Sequence, residues 1–214
     1  MNNLQKRIIT SIVIFPLSIF FVFKGGYLLL SFLLLAFFVA NYELFSVFKD
    51  KTTILFLDLI LILSLFSIYH LRDENSVSFK LLVWFIILTV CSDIGGYSFG
   101  KLFKWKKLTK ISPNKTLSGV LGSFVFSLFS LFIMDHIKLS SFVNFLEAKF
   151  FFFAIIFSLT AQMGDLVISY FKRVEKIKDT GKILPGHGGI FDRIDGLIFV
   201  VILAFVFYKF NFIP

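Results

Sequence analysis

Long apolar runs broken by short charged stretches organise this chain. Seven runs stand out, at about Ile8–Phe23, Tyr27–Phe48, Thr53–Leu71, Phe79–Phe99, Leu117–His136, Phe150–Phe171 and Ile194–Phe212. A helix needs roughly 20 apolar residues to cross a bilayer, and most of these runs have that length. The first is shorter and fits a tilted or partly interfacial helix. The pattern predicts an all-α polytopic membrane protein with about seven transmembrane helices, in a single domain over residues 1–214.

Composition sharpens this picture. Hydrophobic residues make up 57% of the 214 positions and charged ones 16%, against about 45–50% and about 25% in soluble domains. The first run follows a basic start, as in a signal peptide, but no small-residue cleavage site comes after it, and "KGGY" leads directly into the next run. It is therefore expected to stay in the mature chain. The lone cysteine, Cys91, falls inside a span, which excludes a disulfide framework and a thiolate metal cluster.

Charge then orients the spans. With seven spans and a cytoplasmic N-terminus, the inner side carries two Lys/Arg near the N-terminus, two after the second span, six after the fourth and six after the sixth. That is 16 of the 22 basic residues. Positive-inside asymmetry places the N-terminus and the two richest loops in the cytoplasm. The net charge of +9 thus reads as a topology signal and predicts no nucleic-acid partner. Asp93, Asp165, Asp192 and Asp195 all lie at the same membrane boundary as those loops.

Four segments carry candidate chemistry. In "GDLVISYFKR", Asp165, Ser169 and Lys172 share one helical face. An ionisable residue in a span is costly, so Asp165 is either a functional group or half of an Asp–Lys bridge at the helix end. In "KDTGKILPGHGGIFDRIDG", Pro185 and the glycines break the helix and let backbone approach a ligand, with His187 set between glycines. Asp192 and Asp195 either join a site or simply cap the last span. In "SPNKTLSG", Ser112 is a plausible N-cap and Pro113 a first helical residue, so the fifth span is expected to start there. Its free N–H groups, with Lys115, Thr116 and Ser118, would suit phosphate, or the segment is only a capped helix. In "SDIGGYSFG", Asp93 beside two glycines allows close helix packing, a metal or base role, or a lysine pairing. Glu43 stands near the inner end of the second span, placed to meet a cation or orient the site. Asp58, His70, Asp135 and His136 read as interfacial residues, Trp84 as an outer belt aromatic and Trp105 as an inner one.

Carboxylates ringed by cations beside glycine loops suggest phosphate groups held through Mg²⁺, which takes one or two carboxylates and completes its shell from phosphate and water. There is no P-loop sequence and no C-x-x-C or H-E-x-x-H zinc pattern.

The run "SYFKRVEKIKDTGKILPGHGGIFDRID", Ser169 to Asp195, resembles the signature of the phosphatidate cytidylyltransferase (CDP-diacylglycerol synthase) family. Ser169, Lys172, Arg173, Lys178, Asp179, Gly181, Pro185, His187, Gly188, Gly189, Asp192, Arg193 and Asp195 fall in place. "GDL", "SPNKT" and "SD-x-GGY" are also similar to family patterns, and the strong resemblance covers residues 92–196. The chain is short for the family, with fewer spans before the signature. The resemblance implies conversion of CTP and phosphatidate to CDP-diacylglycerol and pyrophosphate in phospholipid biosynthesis, by an enzyme of a bacterial inner (cytoplasmic) membrane. It implies Asp165 and Asp192 as ligands of Mg²⁺, with K⁺ as a companion ion and Asp195 in support, and leaves room for a homodimer. Physical inference adds Lys172, Arg173, Lys178 and Arg193 on phosphate charges, and His187, Gly188 and Gly189 lining the nucleotide. Asp93, Ser112, Lys115, Thr116 and Ser169 complete the expected substrate site. Rival readings are a CTP-dependent polyprenol kinase or other CDP-lipid synthase and, from a different class, an anion transporter. A transporter is expected to show repeats and midplane polar sites, whereas the polar residues here crowd one boundary.

Overall fold

The computed structural model describes residues 3–109, 111–137, 143–181, 183 and 188–213, without the side chains of 3–9 and 11. Among these residues seven helices follow one another: α1 (Asn3–Lys24), α2 (Gly26–Val47), α3 (Lys51–Asp73), α4 (Ser76–Phe103), α5 (Leu117–Ile137), α6 (Ala148–Val174) and α7 (Phe191–Lys209). No strand occurs among the described residues; an antiparallel bridge joins Lys107 to Thr116. The helices α2 to α6 are each long and apolar enough to cross a membrane, and α1 supplies a shorter apolar stretch, Ile12–Lys24. The α7 helix opens on Asp192, Arg193 and Asp195 before turning apolar. The chain is an integral membrane protein built of antiparallel helices, with α2, α4 and α6 ending where α3, α5 and α7 begin.

Local signals set the helix ends. Asp50 caps α3, its carboxylate accepting from the amides of Thr52 and Thr53. The hydroxyls of the same threonines hold the Asp50 carboxyl down at about 2, so the cap stays charged at neutral pH. Asn75 and Ser78 form a reciprocal capping box on α4. The fifth span does not start at Ser112 and Pro113. Ser112 accepts from the amide of Lys115 at 3.1 Å in a turn that has Pro113 at its second position, and Leu108 donates to Lys115 at 2.8 Å. These bonds fold residues 106–117 back on themselves. The helix begins at Leu117, where the Thr116 hydroxyl accepts from the amide of Gly119 at 3.1 Å.

The α4 helix is central, packing on α3, α5, α6 and α7. For that reason Trp84 is not a belt aromatic: it is fully buried among Phe85, Phe145, Phe150 and Phe157. Its indole N–H donates to the Ser130 hydroxyl at 3.1 Å, which satisfies the one polar atom that burial would otherwise strand. Trp105, in contrast, is exposed at the other end of α4 as expected. Serines bind the helices across the interior. Ser123 donates to the Ser92 carbonyl at 2.8 Å, and the hydroxyls of Ser92 and Ser158 lie 2.9 Å apart.

The most extensive packing is α4 on α5, and glycine permits it. A Cβ on Gly95 would strike the carbonyl of Gly122, and a Cβ on Gly122 would strike the carbonyl of Gly95. The close packing of small residues expected for "SDIGGY" is thus present. Gly122→Val is expected to destabilise the fold by about 1–3 kcal/mol, read as a lower melting temperature in detergent; an unchanged melting temperature would show that the two helices do not depend on this approach.

Candidate active site

The sequence places four aspartates at one boundary, and the packing of α6 on α7 brings two of them together. A Cβ on Gly164 would lie 2.9 Å from the Asp195 carbonyl, and one on Gly196 would lie 3.1 Å from the Ala161 carbonyl. The helices therefore approach backbone to backbone at the level of Asp165 and Asp195. Asp93, from α4, completes the group: the charges of Asp93, Asp165 and Asp195 act on one another, with Lys115, Lys172 and Arg193 as the nearby cations. The Asp93 side chain makes no ion pair among the described residues.

Asp165 and Asp192 are held by different lysines. Asp165 pairs with Lys115 at 2.6 Å, and its side chain remains 34% exposed. Ser169, one turn along α6, donates to it at 3.2 Å. Lys172, on the same helical face, does not reach back to Asp165. Its ammonium turns to Asp192 at 2.8 Å, with side chains only 11% and 4% exposed. The other oxygen of Asp192 accepts from the amides of Thr180 at 2.8 Å and Gly189 at 3.0 Å. Asp192 is therefore no N-cap of α7. It lies within the first turn, and the cap position, Ile190, has no side-chain bond. What Asp192 organises is the glycine loop before it.

That loop is glycine-rich for a local reason. Gly188 adopts φ 86, and a Cβ there would lie 2.9 Å from Asp192. Gly188 and Gly189 thus wrap the Asp192 carboxylate closely. Lys178 and Arg193 are exposed at the rim. Arg173 donates to the carbonyls of Ile111 and Ile177 at 3.3 and 3.1 Å, tying the Ser112–Thr116 segment to the end of α6. Of the expected substrate groups, Lys115 enters the aspartate cluster, while Ser112 and Thr116 are engaged in the turn and the α5 cap. His187 lies outside the described residues, as does Pro185.

Two contacts of the loop have partners that the sequence does not signal. The Thr180 amide on Asp192 leaves no signal, since any residue but proline offers one. Glu43, from α2, accepts from the amide of Ile190 at 2.7 Å; its place near the site was legible, its backbone partner was not.

Among the described residues no three His, Cys, Asp or Glu side chains are gathered to hold a metal ion. The donors instead fit a hard divalent cation that takes one or two carboxylates and draws its other ligands from substrate phosphate and water. Asp192 is sealed, with both oxygens engaged; Asp165 is more accessible, although Ser169 and Lys115 engage its two oxygens, and Asp93 is exposed.

Fold and site together define a polytopic membrane protein with a carboxylate–ammonium cluster at one boundary, suited to phosphate chemistry. The sequence model of the Cytidylyltransferase family matches residues 47–211. The chain is 43% identical over 137 residues to a phosphatidate cytidylyltransferase of Helicobacter pylori, covering 64% of this chain and 48% of that protein. A Staphylococcus saprophyticus protein of the same name is 37% identical over 175 residues, 80% of this chain and 64% of the relative. One from Rickettsia conorii is 33% identical over 218 residues, 96% and 91% of the two chains. The chain spans about half the length of the Helicobacter relative but nearly all of the Rickettsia one. It belongs to the Cytidylyltransferase family.

Proposed function

We propose that this protein transfers the cytidylyl group of CTP to phosphatidate, forming CDP-diacylglycerol and releasing pyrophosphate. The observation that carries this reading is the gathering of Asp93, Asp165 and Asp195 with Lys115 and Lys172 at one membrane boundary, in a chain of this family. The relatives named phosphatidate cytidylyltransferase supply the substrates.

In the proposed step an oxygen of the lipid phosphate attacks the α-phosphorus of CTP. The bond from that phosphorus to the oxygen bridging to the β-phosphate breaks, and pyrophosphate departs with the electron pair. A phosphomonoester is already nucleophilic, so the chain needs no nucleophile of its own. Its task is to place two polyanions together and stabilise the charge that moves. Lys115 and Lys172 are each held by a carboxylate, ready to exchange it for a phosphate oxygen. Lys178 and Arg193 attract the triphosphate from the rim, and Gly188 and Gly189 offer close backbone to the nucleotide. Asp165 would hold Mg²⁺, with Asp192 joining if Lys172 moves to substrate; the ion would offset charge on the departing pyrophosphate.

The site face is proposed to be cytoplasmic and the membrane the bacterial inner one, since 16 of the 22 Lys and Arg residues belong to that face. CTP then arrives from the aqueous side and phosphatidate from the bilayer. The test uses purified protein in lipid micelles with phosphatidate and CTP labelled at the α- or the γ-phosphorus. Metal-dependent appearance of α-label, and no γ-label, in extracted lipid is expected. Transfer of γ-label to an isoprenoid alcohol would instead identify a kinase.

A further inference from the structure

Glu43 lies outside residues 47–211, the part matched by the family model, yet its carboxylate is among the most buried charged groups of the chain, at 1% exposure. It stands near the end of α2, beneath the loop that wraps Asp192. One oxygen accepts from the amide of Ile190 at 2.7 Å, and the amides of Ile183 and Phe191 also approach. The other oxygen is buried without a hydrogen-bond partner among the described residues, as is the nearby hydroxyl of Thr180. Gly181 and Gly189 press on this carboxylate from the loop. A Cβ on Gly181 would strike its unpartnered oxygen, and a Cβ on Gly189 would lie 2.6 Å from the bonded one. Beside it an open cavity of about 350 Å³ is lined by Tyr42, Glu43, Ser46, Val47, Gly181 and Ile183.

A buried carboxylate is costly unless something repays its desolvation. Here no lysine or arginine forms an ion pair with it among the described residues, and its contacts are loop backbone. A role in α2 packing alone would be met better by an apolar side chain. We propose that Glu43 is a positioning residue that anchors the Thr180–Ile190 loop from α2, and thereby sets how tightly the site holds the nucleotide. The route is short. Ile190 directly follows Gly189, whose amide binds Asp192, and Gly181 follows Thr180, whose amide binds the same oxygen. Loosening either end releases the backbone on both sides of Asp192.

The link to the nucleotide rests on the proposed cytidylyl transfer; the anchoring of the loop does not. Two readouts therefore run in parallel on full-length protein in lipid micelles. Hydrogen exchange over peptides covering 180–191 is measured without substrate, and kcat and KM are measured for CTP and for phosphatidate. Glu43→Ala is expected to speed exchange in this segment by about tenfold or more, as for loss of a buried charge-assisted bond. It should raise the KM for CTP by about tenfold while leaving that for phosphatidate within about twofold. Glu43→Gln, whose amide oxygen can still accept from Ile190, should restore both values to within about threefold. Gly181→Ala offers an independent check, because the nearest atoms its added Cβ meets are those of Glu43. It should raise exchange in the wild-type background and add nothing in the Glu43→Ala background.

Unchanged exchange over 180–191 in Glu43→Ala would overturn the anchor, whatever the enzymology shows. Faster exchange with a lower kcat and an unaltered KM for CTP would overturn the link to nucleotide affinity. If wild-type protein transfers no label at all, it is the functional reading that fails, and the exchange measurements alone decide the anchor.

Discussion

Asp165→Asn is expected to lower cytidylyl transfer by about two to three orders of magnitude, the scale of losing one key charge-stabilising group, with little change in melting temperature. The carboxylate is 34% exposed and its partner Lys115 23% exposed, so this ion pair contributes about 1 kcal/mol or less to stability. Asparagine keeps the shape and can still accept from Ser169. What it lacks is the negative charge, on a carboxylate far more open than that of Asp192. Initial rates and thermal melting on the same preparation test this. A rate within about threefold of wild type would remove Asp165 from the proposed chemistry.

Lys172→Met should behave differently, failing in both activity and stability. The Lys172–Asp192 pair is 2.8 Å long and nearly sealed. Removing one partner of a buried pair leaves the other uncompensated, at a cost of about 3–5 kcal/mol. Asp192 would keep its two backbone donors but lose its counter-charge, and the glycine loop around it would loosen. The expected result is a large drop in melting temperature together with loss of turnover. A melting temperature equal to that of wild type would mean that the pair is dispensable for the fold.

The contrast between these two aspartates shows what could and could not be read in advance. Their charge, depth and shared boundary are written in the spans and in the positive loops. Their roles are not, because pairing depends on which helix lies next to α6. The spacing of Asp165 and Lys172 invites an intrahelical bridge, yet close packing at Gly164 and Gly196 brings α7 near enough for Asp192 to take Lys172. A similar contest misplaced the start of α5. Ser112 and Pro113 carry good capping chemistry, but the backbone bonds between residues 106–108 and 115–117 fold them into a turn, and Thr116 caps the helix instead. Trp84 sits near a span end, where aromatics often face the headgroups, but its side of α4 is covered by Phe145, Phe150 and Phe157. Glycine was the more reliable guide. At Gly95, read as allowing close helix packing, the Gly122 backbone occupies the place of the missing side chain, whereas Gly188 and Gly189, read as approaching a ligand, lie against Asp192 and Glu43 of the chain itself.

Cytidylyl transfer demands a strict stoichiometry between pyrophosphate and lipid product, which can be measured directly. Wild-type protein reconstituted with phosphatidate is given CTP and Mg²⁺, and released pyrophosphate and lipid-linked cytidylyl diphosphate are followed together by ³¹P NMR. One pyrophosphate appearing for each CDP-diacylglycerol formed, with both slowed by about two to three orders of magnitude in the Asp165→Asn protein, is the predicted result. Release of CDP, or pyrophosphate formed without a nucleotide-bearing lipid, would contradict it.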